Sequence, residues 1–187
     1  MLIARHRHEI TAGQMLRFAL EGRDARGAVE EWMRQYLGVP HGLLLPSGRA
    51  AIYWALRAAP ERTVYMPAFT CIVAVEAVRL AGKQIRFVDI DPGSYNVPAA
   101  EYEKVLEPGG IVLATAQFGF PGELDQVCAL ANARECRVLE DCAGGLGGHL
   151  GGRPLGSFGD LAIFSFQHTK TASAHDAGML AGRDESW

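Results

Sequence analysis

Four cysteines are all the thiols that the 187-residue chain offers, and Cys71, Cys128, Cys136 and Cys142 form neither a CxxC pair nor a zinc-ligand spacing. That argues against a zinc module and fits buried thiols in a reduced cytosol. Positive charge is not in excess either. Lys and Arg number 18 against 21 Asp and Glu, a formal net charge of -3, so the footprint of a nucleic-acid binder is missing. No apolar run is long enough to span a bilayer, and "MLIARHRHEI" turns polar too early for a signal peptide. These absences point to a cytoplasmic protein with no membrane and no nucleic-acid partner. No repeat with a period of about 20–50 residues runs through the chain, and no stretch reads as a disordered linker.

What the chain does have is apolar residues, 49% of them, arranged in short runs that alternate with longer amphipathic stretches. "GAVEEWMRQYLG" reads as a helix with Val29, Trp32, Met33 and Tyr36 on one face. "GLLL" reads as a strand, and "GRAAIYWALRAA" as a helix with Ser47 as its N-cap. The same alternation continues through "TVYM", "CIVAVEAVRLAG", "QIRFVDI", "PAAEYEKVLE", "GIVLAT", "GELDQVCALANAR" and "CRVLED". After a glycine-rich stretch come "LAIFSF" and "GMLAG". Strands this continuously apolar, separated by helices, predict an α/β fold with a mostly parallel sheet covered on both faces. Ligands in such sheets sit at the carboxyl ends of the strands.

Three strand ends carry residues that a plain connection does not need. Pro46-Ser47-Gly48-Arg49 opens a helix straight after a strand, which is either an ordinary serine-capped turn or an anion cradle of free backbone N–H groups. Asp141 ends a buried strand and is followed by Cys142-Ala143-Gly144-Gly145, so it is either a turn cap or the partner of a bound cation. Lys170 follows "FSFQHT"; it either snorkels to solvent or serves as a reactive amine. His168 and His175 read as polar neighbours, not metal ligands, and no metal site is expected. An anion cradle, a lone carboxylate and a lysine together are what a pyridoxal phosphate site requires.

At this point the sequence resembles the DegT/DnrJ/EryC1/StrS aminotransferases, fold-type I pyridoxal-phosphate enzymes acting mostly on nucleotide-linked keto sugars. "LLLPSGRAAIYWAL" is similar to the family's SGTAAL phosphate loop, "YMPAFTCIVAVEAV" to its P-x-x-T segment and "IRFVDIDPGSYNV" to its F-V-D-x-D-x-x-x-Y segment. "FGFPGELDQV", "VLEDCAGGLGG" and "LGSFGDLAIFSFQHTK" resemble three further family segments in the right order. The resemblance implies that Lys170 is the Schiff-base lysine and Asp141 the partner of the pyridine nitrogen. It also implies phosphate contacts from Ser47, Gly48, Arg49 and the Ser165 hydroxyl, with Ala143 against one face of the ring.

The chain departs from the family pattern in several places. Gly144 and Gly145 stand where Gln or His is common, Cys71 where an aromatic often stacks on the ring, and Gln167 where His, Tyr or Asn is commoner. Phe69 and Phe118 are the alternatives for the stacking role. The resemblance places an N-terminal segment at 1–26 and a partial large domain, truncated before the small C-terminal domain, at 27–187. The function it implies is transfer of an amino group from glutamate or glutamine to a keto sugar, in a homodimer or with a second chain carrying the C-terminal half. The alternative is a catalytically impaired remnant, or half of a split enzyme, that binds cofactor or a partner. Sugar dehydration is disfavoured, because in that branch histidine replaces the lysine retained here as Lys170.

Overall fold

The computed structural model describes residues 25–174, 176–183 and 187. Most of the predicted 1–26 segment, and His175, lie outside them. The chain order is α1 (Ala25–Leu37), β1 (His41–Leu45), α2 (Gly48–Ala58), β2 (Thr63–Pro67), α3 (Ile72–Leu80), β3 (Gln84–Val88), α4 (Ala99–Val105) and β4 (Ile111–Thr115). It continues with α5 (Leu124–Ala133), β5 (Arg137–Asp141), the short strands β6 (His149–Leu150) and β7 (Arg153–Pro154), then β8 (Leu161–Ser165) and β9 (Gly178–Gly182). Each apolar run named above forms the strand expected of it. The glycine-rich stretch also folds, as the β6–β7 hairpin, because Gly151 and Gly152 take positive φ angles of 57° and 81° at its turn.

Among the described residues seven strands make one sheet in the order β1-β9-β8-β5-β4-β2-β3. The five strands from β8 to β3 are parallel, and β9 lies antiparallel between β8 and β1. Alternate residues serve opposite faces, which explains the unbroken apolar runs. Leu113, Leu139, Leu161 and Ile163 pack with α2 and α3 through Ile52, Leu56, Ala77 and Val78. Val112, Val138, Ala162 and Phe164 share the other core with Met33 of α1, Tyr102 of α4 and Val127 of α5.

The expected apolar face of α1 needs correction. Met33 and Leu37 are buried one turn apart, whereas Trp32 is 52% exposed and stacks on Tyr36 at 5.4 Å. A residue adjacent to a buried one is rotated by about 100° around the helix, so Trp32 cannot share the Met33 face. α1 instead guards the free edge of β1. The Leu44 amide donates to Glu30 at 2.8 Å, and Arg26 pairs with the same carboxylate at 3.0 Å. The amide and the guanidinium hold the Glu30 carboxyl below its ordinary range. An ion pair thus occupies an edge amide that could otherwise template another strand.

Candidate active site

The carboxyl ends of β1, β8 and β5 open on one side of the sheet, and antiparallel β9 contributes its first residue there. Leu45, Gly178 and Ser165 form one row across β1, β9 and β8. On the next strand Asp141 pairs with Ile163 on one side and Thr115 on the other. The fold therefore brings Ser47, Gly48, Ser165 and Asp141 to a single rim.

Ser47 caps α2: its hydroxyl accepts the Ala50 amide at 3.1 Å. The plain reading of Ser47 as a cap is observed, and it does not exclude the anion reading. First-turn amides have no acceptor within their own helix, and Ser47 answers Ala50 rather than Gly48 or Arg49. The Arg49 side chain points to α3, where it meets Glu76 at 3.5 Å with both groups about half exposed. Any contribution of Arg49 to the rim therefore comes from its backbone.

Two glycines make the close approach possible. A Cβ at Gly48 would lie 3.0 Å from Ser165 Cβ and 3.4 Å from its Oγ. At Gly178, which sequence reasoning passed over, a Cβ would come within 2.2 Å of the Ser47 carbonyl carbon. The signal for it was a glycine opening an apolar strand, which is weak without a partner strand in view. Gly48→Val should fold but bind pyridoxal phosphate at least tenfold more weakly in a spectrophotometric titration. Gly178→Ala should in addition lower the melting temperature, since overpacking of this kind costs about 1–3 kcal/mol. Wild-type affinity in Gly48→Val would place the anion elsewhere.

Asp141 is 6% exposed, and its Oδ1 accepts the Ala143 amide at 3.0 Å. Burial pushes its carboxyl above the ordinary aspartate range, against the opposing pull of the Ala143 amide and the Lys170 ammonium. A carboxylate held this way is stabilised by any cation brought against it. Lys170 lies half-buried on the β8–β9 connection, in a turn where its amide donates to Gln167 O at 2.8 Å. The strand-end turn keeps Lys170 at the rim where β8 ends, beside the end of β5 that carries Asp141. His168 is exposed. Among the described residues no three His, Cys, Asp or Glu side chains gather as a metal ion would require.

The backbone after Asp141 is tightly built. A Cβ at Gly119 would meet the Gly144 carbonyl oxygen at 2.8 Å, so the connection after β4 rests on the one after β5. Phe118 precedes that contact and joins Phe69 and Tyr95 in one exposed aromatic cluster, with centroids 5.3–6.4 Å apart. Both Tyr95 and Phe118 hold positive φ, at 60° and 55°, a conformation uncommon outside glycine. Phe69 and Phe118, the two alternatives for stacking, therefore belong to the same wall. Cys71 is exposed at the start of α3.

The residues fit pyridoxal phosphate on structural grounds. A cradle in which a Cβ at Gly48 would be crowded lets an anion come close to backbone, and the buried Asp141 carboxylate calls for a cation. The fold is an α/β domain with its candidate site at the carboxyl ends of the parallel strands. The profile of the DegT/DnrJ/EryC1/StrS aminotransferase family matches residues 14–187, and the chain belongs to that family. It is 36% identical over 162 residues to UDP-N-acetyl-3-dehydro-alpha-D-glucosamine 3-aminotransferase of Acidithiobacillus ferrooxidans, covering 84% of this chain and 44% of that protein. The structure of DesI in the presence of its TDP-sugar product superposes with a TM-score of 0.83 at 28% identity, over 93% of this chain and 46% of that one. The fold is also that of 3-amino-5-hydroxybenzoic acid synthase, with a TM-score of 0.87 at 24% identity over 99% of this chain and 51% of the other. The chain thus spans less than half the length of the curated relative. Its match to the family profile starts at residue 14, inside the segment expected at 1–26.

Proposed function

We propose that this chain forms the pyridoxal-phosphate-binding part of an aminotransferase that moves an amino group from glutamate or glutamine to a nucleotide-linked keto sugar. The observation that carries it is the convergence of Gly48, Ser165, Asp141 and Lys170 on one rim of a sheet in a chain of this family. The sugar acceptor is supported by the names of the relatives, one a UDP-sugar aminotransferase and one seen with a TDP-sugar product.

Each side chain then has a defined task. The Gly48 and Arg49 amides and the Ser165 hydroxyl hold the phosphate, with Ser47 keeping the helix start in place. Asp141 accepts a hydrogen bond from the ring nitrogen and keeps it protonated. Lys170 Nζ would hold the cofactor and would carry a proton to and from the substrate carbon. Pyridoxal phosphate supplies an electron sink for that carbon. Ala143 would pack against the cofactor ring, and the Phe69–Tyr95–Phe118 wall would border the substrate. The enzyme works in the cytoplasm as a homodimer, or with a second polypeptide that completes the site.

Loading the purified chain with pyridoxal phosphate, adding glutamate or glutamine, and following cofactor absorbance alongside light scattering tests this reading. Amino-donor-dependent loss of the cofactor band from a dimer supports it. Cofactor binding with no response to either donor, alone or with a second polypeptide that completes the site, would instead favour a cofactor- or partner-binding module.

A further inference from the structure

We propose that Glu140 is a positioning residue for the phosphate cradle, a role that rests on the cofactor reading above. Glu140 neighbours Asp141 on β5 but faces the opposite side of the sheet, and it is 1% exposed. Its Oε1 accepts the amides of Phe158 and Gly159 at 2.5 Å each, and its Oε2 accepts the Gly156 amide at 2.8 Å and the Cys142 thiol at 3.7 Å. Burial pushes its carboxyl upward in pKa, and the backbone amides and the thiol pull the other way.

The need for such an anchor lies in the connection it holds. Between β5 and β8 the chain crosses over without a helix, using turns and the β6–β7 hairpin. A helix satisfies its own amides; an irregular crossover laid on a sheet leaves buried N–H groups that need acceptors. One carboxylate has four lone-pair sites, and here each oxygen is engaged twice. Asp160 adds a second tie, accepting the Val138 amide at 2.6 Å.

The anchored loop touches the site through Phe164. Gly156 has φ of 93°, and a Cβ there would lie 2.3 Å from Phe164 Cζ, so the loop sits directly on that fully buried ring. The Phe164 carbonyl oxygen and the Ser165 side chain are in turn the groups a Cβ at Gly48 would meet, at 3.5 and 3.0 Å. Glu140 therefore sets the seat of Phe164, and Phe164 sets how far Ser165 lies from the start of α2. Moving the loop opens the cradle without altering any group that touches the phosphate.

Glu140→Gln keeps the shape but turns an amide NH2 toward a backbone donor; Glu140→Asp keeps the charge but shortens its reach. Both are compared with wild type at a temperature where far-ultraviolet circular dichroism shows each folded. The expected result is faster hydrogen exchange at Gly156, Phe158 and Gly159. Pyridoxal phosphate and inorganic phosphate should both bind at least tenfold more weakly, with a shifted 31P resonance for the bound phosphate. Should Glu140→Gln not fold, Glu140→Asp carries the test. Wild-type affinity and an unmoved 31P resonance in the folded variants would overturn the role, even if stability fell. A wild-type chain binding neither ligand would sink the cofactor reading itself, and the positioning role with it.

Discussion

Borohydride reduction of the chain loaded with pyridoxal phosphate should leave a pyridoxyl group on one residue, Lys170, when the peptides are mapped by mass spectrometry. The structure gives a reason beyond the residue's place after "FSFQHT". Lys170 is half-buried in a turn after β8, and its charge reaches Asp141. Lysines on the outer surface, such as Lys104, which pairs with Glu101 at 2.6 Å, have no carboxylate-lined rim to hold a cofactor. Lys170→Ala should abolish the visible cofactor band and any amino-donor response, a loss of several orders of magnitude. The fold should persist, because among the described residues no buried hydrogen bond depends on the Lys170 side chain. A label on another lysine, or an unchanged band in Lys170→Ala, would reject the assignment.

Asp141→Asn should separate stability from function. In the cofactor-free chain, burial raises the Asp141 pKa above its unfolded value of about 3.9. The folded state therefore holds that proton more tightly than the unfolded state does. As pH rises from about 4 through the raised folded pKa, wild type loses stability that the asparagine variant keeps. The variant should melt higher than wild type at neutral pH, and the gap should close below about pH 4, as read by calorimetry across pH. Asn can still accept the Ala143 amide through its side-chain oxygen, so local geometry survives. With cofactor present the order should reverse. A charge-assisted hydrogen bond is worth about 1.5–3 kcal/mol, so affinity for pyridoxal phosphate should fall by about 10- to 150-fold. Any half-reaction should slow further, because a neutral amide does not hold the ring nitrogen protonated. If the variant bound cofactor as wild type does, Asp141 would be only the turn cap of the plainer reading.

Much of this was open to inspection in the residues alone. Runs such as Ile111–Thr115 and Leu161–Ser165 are too short and too apolar for surface helices, and with both faces covered they had to be buried strands. Ser47 followed by Gly48 announces a helix start, because a capping hydroxyl and an unhindered backbone are local properties. The strand-end rule then pointed to Asp141 and Lys170 without any knowledge of strand order. Short-range chemistry is legible because its causes lie within a few residues of each other.

Strand order was not legible, and it decides the site. That β9, folded back on β8, also pairs with β1 and puts Gly178 under Ser47 follows from pairings between residues more than 130 positions apart. Trp32 looked apolar enough for the core, but the side of α1 that meets β1 is chosen by packing, and it lies at Met33 and Leu37. Nothing local showed that the Glu140 carboxylate would face a loop 16 to 19 residues on. The aromatic wall had the same fate, since Phe69, Tyr95 and Phe118 come from three connections that only the sheet order brings together. The local sequence sets which element forms and which residues stand at its end, because backbone propensity and side-chain period are short-ranged. Which ends meet is decided by burying both faces of one sheet at once, and that is a property of the whole chain.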